Sequence, residues 1–273
     1  MTATVVSPET PVTPATPATR RSVTPIPLVR LVKVELRKMF NTRSGFWMLV
    51  SIGVLSVMAT VAVLIFAPEE EITYRQFATA FGFPMSIILP MIAILGVTSE
   101  WSQRSGLTTF ALVPSRSRVV GAKALATLVV GIVSMLAAFA IGVVGNVGGS
   151  ALLGVETRWD VSLAHAGQIM LGNLVGMAIG FTLGVVLRSS AAAIVGYFVV
   201  SLVLPGILML LAGVRDWFAD LQPWIDWNYT QVGLFDGVTD TGREWAMLGS
   251  TTAIWIVLPL LVGLLFLRRA EVK

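Results

Sequence analysis

The sequence predicts an all-α polytopic membrane protein with six transmembrane helices. Three observations carry that prediction. Only 12% of the 273 residues are charged, against 55% hydrophobic, and soluble domains carry about twice that charged fraction. The apolar residues fall in blocks of roughly 20, the length that crosses a bilayer as a helix. No ten-residue stretches of alternating polarity occur, so a transmembrane barrel is excluded. Backbone amides in lipid must pair within their own segment, which makes each block helical.

Residues 1–27 are dominated by Thr, Pro and Ala without apolar periodicity, and read as a disordered tail. Arg20 and Arg21 are followed by no apolar core, so they do not form an export signal. Residues 28–44 are different. At about 100° per residue, Leu28, Val32, Leu36, Met39 and Phe40 share one face, and Arg30, Lys33, Arg37 and Asn41 the other. Lys38 adds a further cation. This is the pattern of an amphipathic interfacial helix, apolar face toward lipid and Lys33, Arg37 and Lys38 toward anionic head groups.

The six spans are expected at Phe46–Ala67, Ala78–Val97, Val119–Gly145, Ala166–Leu187, Ala191–Val214 and Met247–Leu267. The fourth and fifth are separated only by Arg188, Ser189 and Ser190; joined, they would be about twice a normal span, so a tight turn at Arg188 must divide them. Gly172, Gly176, Gly180 and Gly184 recur every four residues, a smooth stripe on which another helix can pack closely. Pro84, Pro90, Pro205 and Pro259 should kink or loosen their helices. Residues 215–246 are long and rich in Trp, and are expected to form short external helices at the interface.

Lys and Arg set the orientation. With the amino terminus in the cytoplasm, Arg20 to Arg43, residues 98–118, Arg188 and the terminal Arg268, Arg269 and Lys273 all lie inside. The outer loops then hold most of the acids, from Glu69–Glu71 to Glu244. Two cytoplasmic termini require an even number of spans, in agreement with six.

Catalytic chemistry is poorly provided for. The chain has no cysteine and one histidine, His165, which excludes disulfides, thiol catalysis and multi-histidine metal sites. Glu70, Glu71 and Arg75 match the Glu-Glu-x-x-x-Arg spacing of intramembrane prenyl-protein proteases, but the histidines that those enzymes need are missing. Asn228-Tyr229-Thr230 fits a glycosylation acceptor as a chance match to a short pattern. No phosphate-cradling G-x-x-x-x-G-K-[ST] loop occurs. The spans also read as essentially free of charge, which argues against ion-coupled carriers and proton pumps. A transporter of this composition must take its energy from a partner.

Residues 98–118 read TSEWSQRSGLTTFALVPSRSR. Burying Glu100, Arg104, Arg116 or Arg118 in hydrocarbon would cost roughly 2.5–3.5 kcal/mol each, so the segment lies outside the bilayer. Glu100 and Arg104 stand in the favourable i,i+4 order, Gly106 breaks the helix and Pro114 ends the apolar run that follows. Glu, then Arg-x-Gly, an apolar run, Pro, a Ser-Arg pair and Gly-Ala-Lys-Ala-Leu leading into a span resembles the cytoplasmic loop of ABC type-2 transporter permeases. The resemblance covers residues 28–270 in plan: amphipathic helix, six spans, and a long extracellular segment before the last.

The resemblance implies the membrane subunit of a bacterial ABC exporter, in the plasma membrane with both termini cytoplasmic. Residues 28–44 and the coupling loop, with Glu100, Arg104, Gly106, Pro114, Arg116 and Arg118, would dock a separate ATPase subunit. The chain itself would be no enzyme and hold no cofactor or metal; ATP and Mg would sit on the partner. A second permease subunit, identical or homologous, would complete the unit, with lipid around it and no nucleic acid involved. Family members export drugs, antimicrobial peptides, lipids or polysaccharides; the lack of charge within the spans favours an apolar or amphipathic substrate. A carrier or channel independent of ATP, or a non-transporting immunity or scaffold protein, are the alternative readings.

Overall fold

A computed structural model describes residues 26–102 and 116–269. The tail at 1–25 and, within the loop, Arg104, Gly106 and Pro114 lie outside the described residues. Helix α1 is Leu28–Asn41 and α2 is Arg43–Phe66. A break at Thr42 separates them, and the Thr42 hydroxyl caps α2 by accepting from Gly45 N. Then follow α3 (Tyr74–Ser102), α4 (Arg116–Leu153) and α5 (Leu163–Leu187). Helix α6 runs Ser190–Val214. Two short helices, α7 (Asp216–Ile225) and α8 (Trp227–Asp236), precede α9, which runs Gly242–Thr252 and continues through a π turn into Leu258–Arg269.

Six stretches are long and apolar enough to cross a membrane: Gly45–Phe66, Tyr74–Ser99, Ser117–Leu153, Leu163–Leu187, Ser190–Val214 and Gly242–Phe266. The chain is therefore a helical multi-pass membrane protein. The third span continues past Gly145, and Asn146, buried there, donates its side-chain N–H to Arg158 O. The last begins at Gly242 rather than Met247. Thr241 and Glu244 form a capping box there, each side chain accepting from the other's end of the first turn.

Arg188 divides α5 from α6 in the left-handed conformation, φ 54°, the tight turn that the length of the apolar run demands. Helix α5 is the central element and packs along α3. Its glycines mark close approaches. Gly180 faces the backbone of Pro90, and Gly184 faces Val97, both on α3. Gly172 faces Phe235 and Gly176 faces Trp227, both on α8. Helix α8 is thus seated on the bundle, with Trp227 only 2% exposed and Gln231 donating to Gly172 O. Helix α7 keeps Trp217 exposed.

A Cβ on Gly180 would stand 2.9 Å from Pro90 O and 3.1 Å from its Cα, and backbone cannot step aside. Gly180→Ala is therefore expected to destabilise the bundle by about 1–3 kcal/mol through overpacking. Gly167→Ala, in the same helix with open space at its Cβ, should be neutral or stabilising by up to ~1 kcal/mol. Thermal unfolding of both variants in detergent tests the difference; equal melting would remove the close-approach account.

The prolines act as their chemistry requires. A proline cannot donate to the carbonyl four residues back, and its ring crowds it. Pro90 leaves Ser86 O free, and the Tyr197 hydroxyl donates to it from α6 at 2.8 Å. Before Pro205 and Pro259 the helix widens instead. Leu204 N donates to Val199 O and Leu258 N to Ala253 O, five residues back in each case. Helix α6 lies at the edge of the bundle and presents Val195, Leu202, Met209 and Leu210 outward.

Candidate functional site

Lys123 stands two turns into α4 and is only 3% exposed. Its Nζ donates to Glu35 Oε2 at 2.7 Å and to Gly96 O at 3.2 Å. Glu35, on α1, is 7% exposed and also accepts at Oε1 from Lys38 Nζ, at 2.7 Å. Three elements meet here: α1, the end of α3 and the start of α4. Nearby, Arg118 Nη2 donates to Ile26 O at 2.7 Å, tying the chain just before α1 to the first turn of α4.

The arrangement follows from how α1 packs. Its inner face is Val32, Glu35, Leu36 and Met39, laid against the bundle. Met39 reaches Gly96, where any side chain would displace it. Leu28 and Phe40, of the expected apolar face, stay exposed to the surroundings of the bundle. Glu35 is the most deeply buried residue of the helix and is turned to protein. Lys33, Arg37 and Lys38 are on the exposed side, with Lys38 bent back onto Glu35.

Burial by itself raises the pKa of Glu35, but the Lys123 charge and the hydrogen bonds from Lys123 and Lys38 outweigh it and hold the carboxyl below its usual value. The acid stays ionised, and every strong donor around it is charge-assisted. A pair of this kind is a fixture, since both charges are taken out of water and each offsets much of the other's cost.

Sequence reading missed this site. The spans do contain a charge, Lys123, and it is satisfied within the protein. The available signals were small: Glu35 is the one acid in Leu28–Asn41, and Lys123 the one charge between Val119 and Gly145.

The structure places the other candidate residues around the same end. Gly96, whose carbonyl accepts from Lys123, lies one turn before Glu100 in the last stretch of α3. Arg116 opens α4 and Arg118 is half-buried against Ile26. The clasp therefore grips both roots of the segment 98–118 and joins them to α1. Helix α3 in turn packs against α5 at Gly180 and Gly184.

At the opposite end several polar groups are taken up structurally. Arg75 pairs with Asp160, its backbone N donating to Oδ1 at 2.8 Å. Glu69–Glu71 form a short 3-10 turn, and Arg158 donates to Glu70 O. His165 Nε2 lies 2.8 Å from Phe235 O, and its ring packs on Gly237, whose φ of 73° also excludes a side chain. Among the described residues no three His, Asp or Glu side chains are grouped to hold a metal ion. No protein-family model matches the sequence, and no similar curated protein is found.

Proposed function

We propose that this chain is the membrane-spanning permease subunit of an ATP-binding-cassette exporter, driven by a separate cytoplasmic ATPase. The observation that carries the reading is the clasp of Glu35, Lys123 and Gly96 O, which makes one body of α1 and both roots of the loop. A subunit worked from outside the membrane needs such a body, because a loop that moved alone would pass nothing to the spans. The charge distribution supports the orientation. Arg30, Lys33, Arg37, Arg43 and Arg188 gather at the clasp end and most of the acids at the other, which favours a cytoplasmic clasp end.

In this reading α1 and residues 98–118 form the docking surface, ATP and Mg are held by the partner, and a second permease copy completes the unit. The pair Glu35–Lys123 does not support an ion-coupled carrier, since each charge is already neutralised by the other. Co-purification tests the proposal. A tag on this chain, expressed in its native host and extracted in mild detergent, is expected to recover a nucleotide-binding protein in stoichiometric amount. The isolated chain should neither bind nor hydrolyse ATP. Stoichiometric ATP binding by the chain alone, or a preparation free of any nucleotide-binding partner, would sink the division of labour.

A further inference from the structure

The end of the bundle away from the clasp holds a cavity of about 800 Å³, bounded by α6, α7, α8 and the start of α9. We infer that it is a binding site for an amphipathic organic monocation. The volume falls in the range of small-molecule sites, roughly 300–1,000 Å³. Its lining joins an apolar wall, with Met209, Tyr229 and Met247, to three carboxylates, Asp226, Asp236 and Glu244, against one guanidinium, Arg243.

Asp226 decides the sign of the ligand. It is 3% exposed. Its Oδ1 accepts from Asn228 N and its Oδ2 from Gln222 Nε2, both at 3.0 Å, and both donors are neutral. Among the described residues no Lys, Arg or His pairs with it. The N-terminus of α8, which Asp226 caps, offsets part of the cost of withdrawing its carboxylate from water, and a cation in the adjoining space would offset the rest. An anion would meet three carboxylates for one arginine. A bare metal ion would find no grouped ligand set. The apolar wall calls for a ligand with hydrocarbon of its own. Tyr229 offers an aromatic face to a soft cation, and the two methionines adapt to irregular shapes.

The site deepens the exporter reading by naming a substrate class, and its place on an export path rests on that reading. The binding itself does not, because α6 to α9 alone line the cavity.

The test uses the full chain in lipid nanodiscs, with tetraphenylphosphonium as probe and tetraphenylborate as the anion of matching shape. Equilibrium dialysis against empty nanodiscs of the same lipid removes partition into the bilayer. The phosphonium is expected to bind saturably at one site and the borate not at all. Asp236→Asn and Asp226→Asn should each weaken the phosphonium by about ten-fold, one cation contact's worth. In Asp226→Asn the asparagine keeps the acceptor that caps α8, and Asp236 is exposed, so at least Asp236→Asn folds as the parent does. Equal binding of the two ions, no saturable binding, or full affinity in Asp236→Asn overturns the inference. Saturable phosphonium binding by a chain that never recovers an ATPase leaves the site standing and removes the exporter; recovery of the ATPase without phosphonium binding does the reverse.

Discussion

Lys123→Ala and Glu35→Ala should each destabilise the folded chain by about 3–5 kcal/mol, the cost of leaving one partner of a buried ion pair alone. The double replacement Glu35→Met with Lys123→Met should return most of that loss. Both side chains sit almost wholly out of water, and Lys123 spends two of its donors on Glu35 and Gly96 O. Truncating Lys123 strands a carboxylate that keeps only Lys38. Truncating Glu35 takes from the buried Lys123 ammonium the carboxylate it is paired with. Two methionines of similar length remove both charges and fill the space, a change that is often neutral for buried pairs. Unfolding in a graded denaturing detergent, arranged as a double-mutant cycle, measures the coupling. Single variants within about 1 kcal/mol of the parent would place the pair in the class of exposed salt bridges and refute its burial. The pH dependence has a definite sign. Glu35 has a lowered pKa in the fold, so its contribution is whole above the ordinary carboxylate value and is lost as pH falls through the lowered one. Acid, not alkali near neutrality, should loosen α1.

The spans were legible because hydropathy over some twenty residues is a sum, and a sum survives local exceptions. The turn at Arg188 was legible for the same reason: length alone forced it, and the left-handed residue found there satisfies the demand. The clasp was hidden by that same averaging. One lysine in a long apolar run barely moves the mean, and only the position of Glu35 on a different helix shows why Lys123 is tolerated. The partner of Glu35 on α1 was hidden because periodicity sorts residues into faces and does not say what a lone acid meets on another helix. The seat of α8 against α5 was hidden as well. Tryptophan favours interfaces, but Trp227 meets Gly176, and the absence of a Cβ there lets the indole into the bundle. That pairing joins residues far apart in sequence, so no local pattern could announce it.

Removing the charge of Glu100 or Arg104 is expected to leave expression and membrane insertion normal while abolishing recovery of the ATPase. The prediction rests on the proposed function. An exposed i,i+4 pair stabilises a helix by only about 0.3–0.5 kcal/mol, so a merely solvated pair could be lost without consequence. A pair buried against a docked subunit behaves differently. Truncating one partner leaves the other unpaired in the interface, at a cost of roughly 2–5 kcal/mol, or about 30-fold to several thousand-fold in affinity. Glu100 lies one turn beyond Gly96, whose carbonyl the clasp holds, so a load on it passes directly to α1 and α4. Charge reversal, Arg104→Glu, should be worse than alanine because it adds repulsion to desolvation. The clasp double variant provides the contrast: it alters no exposed charge at 98–118, so it should still recover the ATPase, with ATP hydrolysis less responsive to substrate. At matched expression, complex recovery and transport are scored together. If Glu100→Ala and Arg104→Ala both assemble and transport like the parent, the segment 98–118 is not where the ATPase grips, and the docking role falls to α1 alone.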